Sequence, residues 1–347
     1  MADGSLALSK VDSPAGVSIW TLPADIRSRV ESLSTIAPAI LAADPDGAAR
    51  QLGAELRTSL PQEWAGIFDL IASANATPIN LFKGVPIDPE LPPTPVDGIN
   101  DPAQIPNAVK SMLAVAGAMG LRIMAYETMT NTAFIRNISP TLEHAEKMGS
   151  YGSKVKLPMH TEISQGKLPG GEPGVTVSPS PDFLVLYCCR NDEGAPTTFC
   201  LLDTILAGMP NWAVDALKEP KFVVSGGDSF TTVNVLDKVA LLRPDPVTGW
   251  LQLRYNGTNI TTDDATCAEA FRILEERLDD PEVVQRVKLE PGDLLVLENR
   301  RTTHGREPFV ARHDGTDRWL LRLYTVREST FEERVCTDEA KPNSWYV

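Results

Sequence analysis

Leu289-Glu290-Pro291-Gly292-Asp293-Leu294-Leu295-Val296-Leu297-Glu298-Asn299-Arg300-Arg301-Thr302-Thr303-His304-Gly305-Arg306 opens with a turn tripeptide, runs through an unbroken apolar stretch and ends on polar residues. Pro-Gly-Asp makes a tight turn, Leu294 to Leu297 make a buried strand, and the residues after them bring His304 to the mouth of a sheet. Similar short runs, separated by Gly, Pro, Asn and Asp, predict strands over 132–136, 183–189, 197–202, 221–225, 239–242, 251–255, 294–298 and 319–326. Many short strands with turn signals between them imply a β-sandwich or jelly roll.

The region before these strands reads differently. A helical pattern runs from Leu22 to about Leu33, and apolar residues at spacings of three and four predict helices over 48–60, 63–72 and 105–119. Residues 1–20 have no clear period and are expected to form an arm or an early strand. The Pro-, Asp- and Gly-rich stretch 84–104 reads as an irregular loop within a domain. One domain is expected over 1–347, mostly helical to residue 120 and strand-rich over 121–335. Helix 265–278 and a Gly/Pro-rich loop at 164–181, placed to act as a lid, interrupt the strands.

Composition narrows the function. With 32 basic and 46 acidic residues among 347, the formal charge of −14 argues against nucleic acid or an anionic membrane as partner. No apolar run approaches the roughly 20 residues of a spanning helix, and the N-terminus lacks a signal-peptide pattern, so a cytoplasmic location is expected. Five cysteines without a Cys-x-x-Cys pair exclude zinc-ribbon, iron–sulfur and thioredoxin-like readings. Any histidine-based site must draw on His144, His160, His304 and His313.

His160-Thr161-Glu162 places an imidazole and a carboxylate on one side of an extended segment, where both can reach one ion. Alone the triplet is weak, since four histidines among so many acids produce about half such a triplet by chance. His304, late in the chain, supplies a second imidazole if the two strands fold together. Two imidazoles and one carboxylate leave three octahedral positions open, as in non-haem iron(II) oxygenases, whereas structural zinc needs a fourth ligand. Arg318 and Arg322, four apart on a strand face that excludes Trp319, Leu321 and Leu323, suit paired carboxylate recognition. His144, in a Glu-His-Ala-Glu stretch, reads as a solvated helix residue and His313 as a turn residue. Arg306 lies close enough to His304 to line the site or to form an ordinary ion pair.

From about Leu157 to Val326 the chain resembles the clavaminate synthase-like branch of the iron(II)/2-oxoglutarate oxygenases, within the TauD/TfdA-like superfamily. The resemblance is carried by His-Thr-Glu at 160–162, Cys-Cys-Arg-Asn-Asp at 188–192, the Pro291–His304 block, and Asp-Gly-Thr-Asp-Arg-Trp-Leu-Leu-Arg at 314–322. It implies a mainly β architecture with flanking helices (α+β) around a double-stranded β-helix, or jelly-roll, core. It also implies Fe2+ held by His160, Glu162 and His304, with 2-oxoglutarate and O2 as cosubstrates. Arg318 would bind 2-oxoglutarate with the help of Thr198, or of Thr197 given the loop length, and Arg322 would take a substrate carboxylate. The N-terminal third carries no matching motif.

The implied reaction converts 2-oxoglutarate to succinate and CO2 while hydroxylating an unactivated C–H bond of a free amino acid or a small molecule derived from one. Desaturation or ring closure in natural-product biosynthesis uses the same cofactors. Glu162 disfavours halogenation, since related halogenases lack that carboxylate. Relatives acting on cationic side chains tend to carry acids near 251–260, where this chain has Arg254, Tyr255, Asn256 and Asn259. Asn256 is therefore expected to face a neutral or amide-bearing substrate, unless Asp263, Asp264 or the 164–181 loop adds a charge. A metal-dependent isomerase or hydrolase would not need Arg318, and a non-catalytic jelly roll would not need all three ligands.

Overall fold

A computed structural model describes residues 16–73, 76–98, 101–126, 133–168, 180–226, 235–246, 248–331 and 344–345. Strand β1 (Val17–Thr21) is followed by helices α1 (Ala24–Glu31), α2 (Pro38–Ala43), α3 (Pro45–Ser59) and α4 (Gln62–Ala72), then by β2 (Ile79–Lys83). Helix α5 (Pro106–Ala118) leads into β3 (Leu121–Tyr126), β4 (Arg136–Ile138), β5 (Leu157–His160), β6 (Phe183–Arg190) and β7 (Thr197–Leu201). A peripheral region follows, with α6 (Leu202–Ala207), α7 (Asn211–Leu217), β8 (Phe222–Ser225), β9 (Val235–Val239), β10 (Leu242–Pro244), β11 (Leu251–Leu253), β12 (Ile260–Thr261) and α8 (Ala265–Asp279). The chain closes through β13 (Gln285–Val287), β14 (Leu294–Glu298), β15 (Thr302–Arg306), β16 (Trp319–Arg327), α9 (Glu328–Phe331) and β17 (Ser344–Trp345).

Two sheets face each other in a jelly roll. The larger runs β1-β2-β14-β6-β16-β3-β17 with β4 paired to β16, and the smaller runs β13-β7-β15-β5. The central strands of the larger sheet are buried on both faces, which is why they read as unbroken apolar runs. Phe183, Val185 and Tyr187 of β6, Val296 of β14 and Trp319, Leu321 and Leu323 of β16 pack against helices α1 and α3–α5. The alternate residues, Leu184 and Leu186, Leu295 and Leu297, Leu320 and Tyr324, face the smaller sheet across the sandwich interior, where Phe199 and Leu201 of β7 meet them. Trp319, wholly buried, donates its indole N–H to Asn137 at 2.8 Å. A third apolar cluster joins the smaller sheet to α6–α8.

The differences from sequence expectation have physical causes. β1 and β2 complete one edge of the larger sheet, so the mostly helical first 120 residues are not a layer apart from it. Arg136, expected to end a strand, begins β4, and residue 132 lies outside the described residues. The expected strand at 239–242 is instead the break between β9 and β10, and residue 202 opens α6. Short strands such as β5 and β15 carry too few apolar residues to show a period of two. The Pro-Gly-Asp turn is as expected, with Gly292 at φ +85°. Most of the expected lid, 169–179, lies outside the described residues.

Candidate active site

β15 lies between β7 and β5, and its register sets His304 directly opposite His160. The approach is close because position 305 is glycine: a Cβ there would stand 2.4 Å from the Leu157 carbonyl oxygen. The two imidazole centroids are 4.3 Å apart. Extended backbone ends at His160, and Glu162 sits in the turn that follows, with Ile163 held at φ +55°. That conformation is costly for a β-branched residue and persists because the surroundings impose it. Buried Asn299 accepts from the Glu162 N–H at 2.8 Å and donates to its carbonyl at 3.0 Å, while Ser180 also donates to that carbonyl.

One ligand atom each from His160, Glu162 and His304 all lie within 4.8 Å of one another. Metal bonds of about 2 Å can span such a set with small adjustment. The donor chemistry also fits a divalent cation. His160 Nδ1 is 2.9 Å from the Pro158 carbonyl, which can only accept, so Nδ1 carries the proton and Nε2 keeps its lone pair. Burial and then His304 lower the His160 pKa to about 4, keeping the ring neutral. Burial alone would raise Glu162, but Arg322 and both imidazoles hold it well below the usual carboxylate range. Tyr324 donates its hydroxyl to Glu162 Oε2 at 2.6 Å, and Arg322 Nη1 lies 3.4 Å from Oε1.

These side chains open onto a cavity of about 460 Å³ between the sheets. Arg318, just before β16, and Arg322, within it, both line that cavity as expected from their spacing. Arg318 Nη2 donates to Thr197 Oγ1 at 3.1 Å. Thr197 pairs with Arg306 on β15 and shares its face. Thr198 points the other way, against Met159, so the expected cavity-facing threonine is corrected from Thr198 to Thr197. Arg306 lines the cavity and makes no ion pair among the described residues; it donates to the carbonyls of Ser153, Val155 and Glu307. Burial lowers both Arg306 and Arg318 to about 10, and Arg318 adds to the effect on Arg306.

Asn256 lines the cavity and bridges to His160 through the backbone. Arg254 does not line it, and Asp264 is occupied capping α8 and pairing with Lys221. His144 and His313 lie outside it: His144 bonds Thr141, and His313 adopts φ +56° in a turn. Asn299, Tyr324, Arg136 and Thr197 gain importance that spacing alone did not assign them. For Tyr324 a signal was present, because it continues the alternation 318, 320, 322 on β16.

Residues 174–324 match the family model described as taurine catabolism dioxygenase TauD, TfdA family. The L-asparagine oxygenase of Streptomyces coelicolor is 31% identical over 257 residues, covering 72% of this chain and 71% of its own. Clavaminate synthase 2 of Streptomyces clavuligerus is 30% identical over 281 residues, covering 78% and 80%. The chain belongs to this family. It is an iron(II)/2-oxoglutarate-dependent oxygenase of the clavaminate synthase-like branch. A solved asparagine oxygenase complexed with Fe(II), 3-hydroxyasparagine and succinate superposes on it with a TM-score of 0.77 at 23% identity, covering 95% of this chain and 99% of the other, and agrees in fold. No described helix of this oxygenase is long and apolar enough to cross a membrane.

Proposed function

We propose that this oxygenase hydroxylates a free amino acid or a close derivative, with His160, Glu162 and His304 holding the iron. The observation that carries the reading is the convergence of those three ligand atoms at a cavity whose opposite wall presents buried arginines. Bound iron(II) supplies dioxygen activation, coupled to oxidative decarboxylation of 2-oxoglutarate to succinate and CO2, and so the power to replace C–H by C–OH. The protein's own contribution is position. Arg318 and Thr197 grip the far carboxylate of 2-oxoglutarate, since a guanidinium with a hydroxyl beside it matches a carboxylate's two oxygens. Arg322 anchors a substrate carboxylate, and Asn256 lines the wall on the His160 side. Tyr324 and Asn299 fix Glu162 before any ligand arrives.

Several relatives act on amino acids by name, among them an L-lysine 3-hydroxylase of Catenulispora acidiphila, 26% identical over 72% of this chain and 67% of its own. Anaerobic protein with iron(II) and 2-oxoglutarate is expected to show the weak visible charge-transfer band of a bidentate 2-oxo acid. His160→Ala and His304→Ala are each expected to abolish it. Iron binding without the band in the unmodified protein would overturn the reading. Substrate-dependent succinate release then ranks amino acids as substrates.

A further inference from the structure

β4 pairs with β16 so that Arg136 stands directly opposite Arg322. Like charges in that relation destabilise a sheet, and here both side chains are also buried, at 4% and 7% exposure. Among the described residues Arg136 has no carboxylate partner, and Arg322 has one, Glu162, which the proposed iron site also claims. Arg136 donates Nε to the Tyr151 hydroxyl at 3.0 Å and lies 4.8 Å above that ring, and no described carboxylate is within 4.0 Å of it. Its two terminal nitrogens make no hydrogen bond with described residues. Arg322 has Glu162 at 3.4 Å through Nη1 and stacks 4.3 Å from the Tyr324 ring. Both arginines line the cavity.

The charge of the cavity wall points the same way. Among the described residues it carries four guanidinium groups, Arg136, Arg306, Arg318 and Arg322, against one carboxylate, Glu162. Iron(II) and the 2-oxoglutarate dianion have equal and opposite charge, so loading the centre leaves that excess of cations in place. A zwitterionic neutral amino acid would not reduce it, and a cationic one would add to it. We infer that Arg136 and Arg322 form a paired anion clamp and that the substrate is a dicarboxylic amino acid of aspartate or glutamate type. Each guanidinium then takes one carboxylate, and the repulsion across the β4–β16 pair becomes selectivity. This rests on the proposed oxygenase site and moves the substrate past the neutral or amide-bearing class suggested by residues 251–260.

The test is calorimetric titration of the anaerobic, full-length protein loaded with iron(II) and 2-oxoglutarate, with the charge-transfer band recorded on the same samples. Aspartate or glutamate is expected to bind at least tenfold more tightly than asparagine, glutamine or lysine. Arg136→Gln should remove that preference, and Arg136→Lys should retain most of it. Equal binding of acids and amides, with Arg136→Gln weakening both alike, would mean that the two arginines share one carboxylate and would overturn the clamp. Failure of both acids to bind would overturn it too. Acid preference without the band would leave the clamp standing and remove the oxygenase reading, whereas a band without acid preference would do the reverse.

Discussion

Arg318 and Arg322 stand four residues apart, are both buried and both line one cavity, yet their surroundings push them in opposite directions. Burial lowers Arg318 to about 10, and among described residues no carboxylate lies within 4.0 Å of it. Burial pulls Arg322 down as well, but Tyr324 and Glu162 outweigh it and leave its pKa raised. The difference teaches which end of the cavity waits for an external anion. Among the described residues the buried Arg318 guanidinium meets a threonine hydroxyl and no paired carboxylate, and the fold tolerates such a charge where a ligand regularly completes it. Arg322 already shares Glu162, so it can hold a substrate carboxylate and steady the metal-binding acid together.

Arg318→Met tests the contrast most severely. Removing one partner of a buried, hydrogen-bonded charge pair costs about 2–5 kcal/mol, so 2-oxoglutarate should bind about 100-fold more weakly or worse. The measurement is an anaerobic titration of 2-oxoglutarate into iron-loaded protein, followed at the charge-transfer band. An unchanged dissociation constant would mean that the two arginines are not divided between cosubstrate and substrate.

The legible parts of this division lay in residues whose spacing encodes direction. His304 after Pro-Gly-Asp and an apolar strand, and Arg318 and Arg322 on the face opposite Trp319, Leu321 and Leu323, followed from turn chemistry and a period of two. What stayed hidden depended on pairing between distant segments. That Arg136 faces Arg322 is a matter of β4–β16 register, which one strand's composition does not encode. That Thr197 rather than Thr198 meets Arg318 turns on a single step of alternation, and two adjacent threonines look alike until β7 is set against β15. Asn299 was visible as a letter in the motif, but its bonds to Glu162 span 137 residues of sequence.

Tyr324→Phe sharpens the other half of the contrast. Its hydroxyl holds Glu162 Oε2 at 2.6 Å, and a hydrogen bond to a buried charged group contributes about 1.5–3 kcal/mol. Loss of that bond should weaken iron(II) binding about tenfold, read by anaerobic metal titration, while 2-oxoglutarate affinity at saturating iron changes far less. A larger effect on 2-oxoglutarate than on iron would place Tyr324 at the wrong pole of the cavity.

The smallest expected effect separates two neighbours of nearly identical chemistry. Thr197→Val keeps shape and β-branching and removes one hydroxyl, the acceptor 3.1 Å from Arg318 Nη2. A single hydrogen bond of this kind contributes about 1 kcal/mol, so 2-oxoglutarate affinity should fall about fivefold. Thr198→Val removes a hydroxyl that, among the described residues, donates to the Met159 sulfur alone, at 3.9 Å on the opposite face of β7, and should leave the affinity within about twofold. The two substitutions share backbone, volume and distance in sequence, so stability changes largely cancel between them. What remains is the face of the strand. If Thr198→Val carried the larger loss, the register that sets Thr197 beside Arg306 and Arg318 would be wrong by one residue, and with it the assignment of Arg318 to the cosubstrate's far carboxylate.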